Sequence, residues 1–139
     1  LVMNNQKIKK IIIQNKFYTI PDVRKHSDYL YIFGDNDIGI GKGGQAIIRD
    51  EPNVVGIPTK KEPNNRESAF YTDLELEENK KKIHLAIMKA LREFMKSKYT
   101  TLVIPGGGLG TGLSKLPEKA PKTFKYLEDK IKNLISLFK

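Results

Sequence analysis

Two glycine-rich stretches of the chain have the composition of anion-binding loops. Residues 106–112 contain five of the eleven glycines, residues 34–44 contain another five, and the last is Gly56. Because glycine has no Cβ, backbone N–H groups in such loops can approach a ligand closely. Both stretches follow apolar runs, and phosphates commonly bind where a strand of an α/β sheet ends in such a loop. We therefore predict one cleft between two facing loops; the alternative for residues 106–112 is a flexible surface turn.

Polar residues beside the first loop are the candidates for catalysis. Asp35, Asn36 and Asp37 follow the apolar run of residues 29–33. With a positioned water, this cluster could assist hydrolysis by proton transfer while backbone amides stabilise the developing charge. The alternative for both aspartates is ordinary turn formation. Lys42 could reach a phosphate, but the loop lacks the Gly-Lys-Ser/Thr ending of a P-loop.

Composition excludes several classes of site. The chain has no cysteine and only two histidines, so we expect no metal site and no cofactor. No apolar run approaches the length of a membrane span, which predicts a cytoplasmic protein without a membrane partner. A length of 139 residues with 39% hydrophobic content predicts a single domain over residues 1–139, frayed at residues 1–10. The oligomeric state is left open.

The formal net charge of +9 favours anionic partners in general. Nucleotides, nucleic acids and acidic proteins all belong to this class, and charge alone does not choose among them. No basic run is interleaved with the aromatic residues that stack on nucleic acid bases. A dedicated nucleic-acid surface is therefore the less favoured alternative.

Four apolar runs predict the strands of a sheet. The expected strands cover residues 11–13, 29–33, 53–57 and 102–104. Each of them is rich in β-branched, aromatic or other apolar residues. The turn residues Gly34 to Asp37 are expected to close the second strand, Pro58 to Lys60 to leave the third, and Pro105 to end the fourth.

Helix signals alternate with these strands. Thr19 and Pro21 predict the start of a short helix, and Thr72 with Glu75 predicts a capping box that opens the longest one. A short helix after Gly44 would add its dipole to the first loop, and a terminal helix should bury an apolar stripe. This order predicts an α/β fold, a mainly parallel sheet with helices on both faces and a ligand at the carboxyl ends of the strands.

The combination of motifs resembles the macro domains, which bind ADP-ribose and related nucleotides. The resemblance is carried by Asn36 after a strand, Gly-Ile-Gly-Lys-Gly-Gly-Gln-Ala at residues 39–46, Val-Val-Gly-Ile-Pro-Thr at residues 54–59 and Ile-Pro-Gly-Gly-Gly-Leu-Gly-Thr-Gly at residues 104–112. It is similar in particular to small macro-like proteins of phages and bacteria, and it implies a three-layer macro-like domain.

The resemblance also implies roles for individual residues. Asn36 matches the asparagine near the distal ribose, and Asp22 matches the aspartate that accepts from the adenine amino group. The family's Asn-Ala-Ala-Asn signature is replaced here by residues 33–36, and Pro21 stands where the family has a glycine before its aspartate. The residues predicted to bind the ligand are Asp22, Gly41, Lys42, Gly43, Gly44, Gln45, Ala46, Thr59, Gly106, Gly107, Gly108, Leu109, Gly110, Thr111 and Gly112.

Three functions follow as hypotheses. The leading one is a domain that binds an ADP-ribose-type nucleotide or related phosphate-containing metabolite, with hydrolysis of an ADP-ribose linkage as an enzymatic extension. The second is a non-enzymatic RNA- or DNA-binding basic domain, and the third is a protein that sequesters a nucleotide signal. Salt titration separates the first two, because binding to a phosphate backbone weakens steeply as salt rises.

Overall fold

The computed structural model describes residues 8–139 and contains one parallel sheet. The order of the strands is β1-β4-β2-β3, and every neighbouring pair is parallel. The strands are β1 (Lys10–Gln14), β2 (Tyr29–Asn36), β3 (Val54–Lys60) and β4 (Thr101–Pro105). The helices are α1 (Ile20–Lys25), α2 (Leu76–Phe94), α3 (Leu116–Lys119) and α4 (Pro121–Ser136), with 3₁₀ helices at Gly44–Ile48, Glu67–Ala69 and Asp73–Glu75. The prediction that residues 1–10 are frayed lies outside the described residues for positions 1–7, and Lys10 begins β1.

Helices cover both faces of the sheet, as predicted. Successive residues of a strand point to opposite faces. Leu30 and Ile32 of β2 therefore belong to a core formed with α2 and α4, while Tyr31 and Phe33 belong to a second core formed with α1 and the 3₁₀ helix at Gly44–Ile48. The expected α/β architecture with a parallel sheet is confirmed.

Two strands extend three residues beyond their predicted carboxyl ends. β2 continues through Asn36, and β3 continues through Lys60. The predictions of a turn at Gly34 and of an exit at Pro58 were therefore wrong. Asp35 pairs with Pro58, and β3 lies at the edge of the sheet, where proline is tolerated because one side of the strand has no neighbouring strand.

One predicted helix start is confirmed and another is wrong. Thr19 caps α1 by accepting a hydrogen bond from the Asp22 N–H at 3.3 Å, as its sequence position indicates. The capping box of Thr72 and Glu75 is wrong, because Thr72 makes no side-chain capping bond and a 3₁₀ turn precedes α2.

Asp73 stabilises the start of α4. Its carboxylate accepts hydrogen bonds from the Lys122 N–H at 2.8 Å, the Thr123 N–H at 3.0 Å and the Thr123 hydroxyl at 2.9 Å. Burial alone would raise the pKa of Asp73, but these three donors together hold it below its ordinary value. Asp73 lies just before α2 in the sequence, but its side chain stabilises the start of α4, about fifty residues further along the chain.

The connections after β2 and β4 leave the sheet on opposite faces. The 3₁₀ helix at Gly44–Ile48 follows β2 and packs with α1, whereas α3 and α4 follow β4 and pack with α2. β2 and β4 are neighbours, so their connections separate directly above the ends of the strands. Such a separation opens a crevice at the carboxyl edge of an α/β sheet, where ligands usually bind.

Candidate functional site

A cleft of about 910 Å³ lies at the carboxyl ends of the strands. This volume is within the range of small-molecule binding sites, roughly 300–1,000 Å³. The cleft is lined by ends of all four strands, from Gln14 of β1 to Lys60 of β3. The predicted residues that line it are Asp35, Asn36, Gly41, Lys42, Gly43, Gly44, Gln45, Ala46, Thr59, Gly106, Gly107, Gly110, Thr111 and Gly112.

Four predicted site residues do not line the cleft. Asp22 lies on α1, and Leu109 is only 4% exposed and belongs to the core shared with α2 and α4. Gly108 belongs to the second loop but does not line the cleft, and its carbonyl oxygen accepts a hydrogen bond from the Gln45 side chain. The fourth is Asp37, whose side chain contacts Tyr71 and Lys82 outside the cleft.

Arg49 holds the first glycine loop in shape. Its guanidinium lies 2.6 Å from the Asp35 carboxylate and donates to the carbonyl oxygens of Gly41 at 2.8 Å and Ile40 at 3.1 Å. It also lies 5.5 Å from the centre of the Phe33 ring. Asp35 was predicted as catalytic, but its carboxylate anchors this arginine. Sequence reasoning missed Arg49, because an ion pair fourteen residues apart leaves no local signal.

Asn36 is occupied within its own loop. Its amide group donates to the Ile40 carbonyl at 2.8 Å, and its side-chain oxygen accepts from the N–H groups of Ile38 at 3.1 Å and Gly39 at 2.9 Å. Asparagine commonly forms turns of this kind. The side chain therefore shapes the loop that borders the cleft.

Asp37 is bound on the side of the sheet that carries α2. It accepts a hydrogen bond from the buried Tyr71 hydroxyl at 2.5 Å and pairs with Lys82 of α2 at 2.8 Å. Burial, and then the neighbouring carboxylate, raise the pKa of Tyr71 well above its ordinary value. The tyrosine therefore stays protonated and donates, so that Asp37 serves as a structural acceptor.

Gln45 connects the two glycine loops. Its side-chain oxygen accepts from the Gly34 N–H at 2.8 Å, and its side-chain nitrogen donates to the Gly108 carbonyl at 3.0 Å. One side chain thus links the end of β2 to the second loop across the cleft. The sequence placed Gln45 at the site, but as a ligand-binding residue rather than as a link.

The second loop is held by hydroxyl groups. The Thr111 hydroxyl donates to the Gly107 carbonyl at 2.8 Å within the loop itself. The buried Thr59 hydroxyl lies 2.7 Å from that of Ser114 and 3.1 Å from the Asp35 carbonyl oxygen. Two backbone N–H groups of the loop are also bonded within the protein, that of Gly106 to the Gln14 carbonyl at 2.7 Å and that of Gly108 to the Pro105 carbonyl at 3.0 Å.

The expected helix dipole contributes little. The helix that follows the first loop is a 3₁₀ helix of five residues, begun by Gly43 without a side-chain cap. A macrodipole needs aligned peptide units over a longer helix. Anion binding in this loop would therefore depend on the individual amides.

The two ends of the cleft differ in character. Phe17, 95% exposed, lies beside β1, while Ile40 and Leu113 add exposed apolar surface at the mouth. Lys60, only 6% exposed, is the last residue of β3 and lines the opposite end. Neither Phe17 nor Lys60 was predicted, because each is an isolated residue outside any glycine motif.

Comparison with known proteins identifies a family for this fold and cleft. Residues 13–130 match a family of unknown function, DUF7831, and this match covers most of the chain. The chain belongs to the DUF7831 family. Every residue that lines the cleft falls inside the matched region, so the cleft is part of the DUF7831 domain itself. No curated protein and no solved structure matches the chain.

The described part of the DUF7831 structure contains neither a cluster of metal ligands nor a membrane-spanning helix. Within residues 8–139, no group of three or more histidine, cysteine, aspartate or glutamate side chains is arranged to hold a metal ion. In the same part of the chain, no helix combines the length and apolar character needed to cross a membrane.

Proposed function

We propose that this DUF7831 protein binds a nucleotide of the ADP-ribose type in the cleft between its two glycine loops. The observation that carries the proposal is the placement of both loops around one cleft, joined by Gln45, above the point where the connections of β2 and β4 separate. Crevices of this kind bind nucleotides in many α/β proteins. The resemblance of the loop motifs to macro domains supports the same ligand class.

Each part of the cleft suits a different part of such a ligand. The glycine loops offer N–H groups that can approach a diphosphate closely, without side chains in the way. The exposed ring of Phe17 offers a surface on which a base can stack, a contact that typically contributes about 1–3 kcal/mol. The base would therefore lie toward β1, with the diphosphate between the loops.

Binding without chemistry is the function that we propose. A hydrolytic step needs a group free to accept a proton from water. Asp35 is paired with Arg49, Asn36 is hydrogen-bonded within its loop, and Asp37 contacts Tyr71 and Lys82. Hydrolysis of an ADP-ribose linkage would require one of these contacts to open, so turnover is an outcome to be measured rather than part of the proposal.

Calorimetry of a ligand panel tests the proposal. We expect ADP-ribose to bind more tightly than AMP, cyclic nucleotides or single-stranded RNA, with only modest dependence on salt. Preferential RNA binding that weakens steeply with salt would instead support the basic nucleic-acid-binding domain. Amide exchange with and without ADP-ribose should show protection appearing together in residues 39–46 and 106–112. Protection confined to the lysine-rich helices would contradict the cleft.

Blocking variants locate the binding site. Gly44 has φ +57°, so Gly44→Val should both obstruct the first loop and strain the backbone. Gly112→Val is the sharper variant, because a Cβ at Gly112 meets no atom within 4 Å and should fill the cleft without disturbing the fold. We expect both to abolish ADP-ribose binding, while the exposed control Ser97→Val retains it. Full binding by folded Gly112→Val would exclude this cleft.

A further inference from the structure

Within the part of the chain that the structure describes, Lys60 is a buried cation without an acidic partner. It ends β3, is 6% exposed, lines the cleft and places its ammonium group 4.7 Å from the centre of the Phe70 ring. Among the described residues, no carboxylate lies within ion-pair distance of it. A charged group removed from water is unfavourable unless another charge or polar groups compensate it.

Neighbouring lysines are compensated, which sets Lys60 apart. Lys61, the next residue, pairs with Glu75 at 2.6 Å, and Lys42 at the cleft pairs with Asp50 at 2.6 Å. Lys119, which shares the Phe70 ring with Lys60, pairs with Glu67 at 3.0 Å. Within residues 8–139, acidic partners are therefore supplied to Lys42, Lys61 and Lys119 but not to the buried Lys60.

A second lysine adds to the positive charge. Burial, and then the charge of Lys115, lower the pKa of Lys60. Lys115 follows the cleft residue Ser114 and adopts a left-handed backbone with φ 47°, which is uncommon for lysine. An anion bound near both lysines would offset the repulsion between their charges.

We propose that Lys60 forms a phosphate-binding seat at the β3 end of the cleft. The neighbouring strand β2 carries the first glycine loop, and β1 with Phe17 lies three strand spacings away, about 14 Å. A ligand with an aromatic end and a phosphate end thus fits the cleft in one direction. Identifying the phosphate as part of a nucleotide rests on the proposed function; the seat itself does not.

The test combines two probes on the full chain. In lysine-labelled protein, titration with inorganic phosphate at constant ionic strength should shift the Lys60 side-chain resonances with saturation and raise the pKa of Lys60, because a bound anion favours the charged form. By calorimetry, Lys60→Gln should weaken ADP-ribose binding roughly ten- to a hundredfold. Lys125→Gln removes the same charge from an exposed pair with Asp129 on α4 and should change affinity less than twofold.

The outcomes separate the seat from the proposed function. A Lys60 response to phosphate without any ADP-ribose binding would retain the seat and refute the nucleotide. A loss of ADP-ribose affinity in Lys60→Gln without a response to free phosphate would assign the seat to the phosphate of the nucleotide. ADP-ribose binding that is equally tight in wild type and Lys60→Gln, together with Lys60 resonances unmoved by phosphate, would overturn the seat. Lys60 would then be a structural lysine packed on Phe70. A melting curve for Lys60→Gln confirms that the variant is folded.

Discussion

Replacing Gln45 should loosen the second glycine loop and lower the stability of the protein. Gln45→Met keeps the length of the side chain but removes both hydrogen bonds, one to the Gly34 N–H at 2.8 Å and one to the Gly108 carbonyl at 3.0 Å. Each neutral hydrogen bond contributes about 0.5–1.5 kcal/mol, so the free energy of unfolding should fall by roughly 1–3 kcal/mol. For a chain of this size that corresponds to about 4 °C in melting temperature per kcal/mol.

A second variant separates the two hydrogen bonds. Gln45→Glu retains an acceptor for the Gly34 N–H, but it loses the donor and places a carboxylate against the Gly108 carbonyl oxygen. Amide exchange within residues 106–112 should therefore accelerate in both variants. The Gly34 amide should lose protection only in Gln45→Met, because only that variant removes its acceptor.

Denaturant titration and amide exchange together provide the assay. The control is Asn133→Met, an exposed position on α4, which should leave the free energy of unfolding unchanged within about 0.5 kcal/mol. Wild-type stability and wild-type exchange of residues 106–112 in Gln45→Met would refute the link between the loops. Each loop would then hold its conformation independently.

Three further variants test other contacts. Arg49→Met should lower the free energy of unfolding by about 1.5–3 kcal/mol by denaturant titration, and less when Asp35 is already Asn, because the two changes share one contact. Asp73→Asn should lower the free energy of unfolding at neutral pH. Because the pKa of Asp73 is lowered in the folded state, its carboxylate stabilises the fold above about pH 4, and this stabilisation is lost as the pH falls below that value. The stabilities of wild type and variant should therefore converge in acid. Gly110→Ala should lower the melting temperature, because φ is +79° and the new Cβ would lie 3.0 Å from Leu116.

Contrary results for these variants are equally specific. Additive effects of Arg49→Met and Asp35→Asn would mean that the ion pair is not coupled. A stability difference between wild type and Asp73→Asn that persists unchanged below pH 3 would exclude the carboxylate as its source. A Gly110→Ala variant that melts like wild type would show that the loop adopts another backbone conformation in solution.

The strands and helices could be predicted because each depends mainly on the pattern of apolar residues within its own segment. The isoleucine run of residues 11–13 lies within β1, and the apolar stripe of the terminal helix includes the buried Leu127 and Leu134 of α4. The prediction failed at the ends of β2 and β3. Glycine and proline usually interrupt strands, and only the parallel pairing of Asp35 with Pro58 overrides that preference.

The positions of the glycine loops could be predicted, but their internal contacts could not. A strand followed by a glycine loop is read within a dozen residues, and both loops line the cleft. The contacts that shape them connect distant residues: Tyr71 lies 34 positions from Asp37, and Gln45 lies 63 positions from Gly108. No sequence spacing encodes such a pair. The charge of Lys60 is distinctive only because none of the described residues places a carboxylate beside it.

The polar side chains around the cleft hold its walls, and this division of roles favours recognition over chemistry. Asp35, Asn36, Gln45 and Thr111 line the cleft, yet each has a protein partner that fixes a loop. We propose that unpaired backbone amides of the loops, together with Phe17 and Lys60, meet the ligand. Amides held in place before binding reduce the ordering cost of association. Amides donate hydrogen bonds but do not accept a proton from water at neutral pH. This arrangement is the support for our proposal that the cleft holds a phosphate group without cleaving a bond beside it.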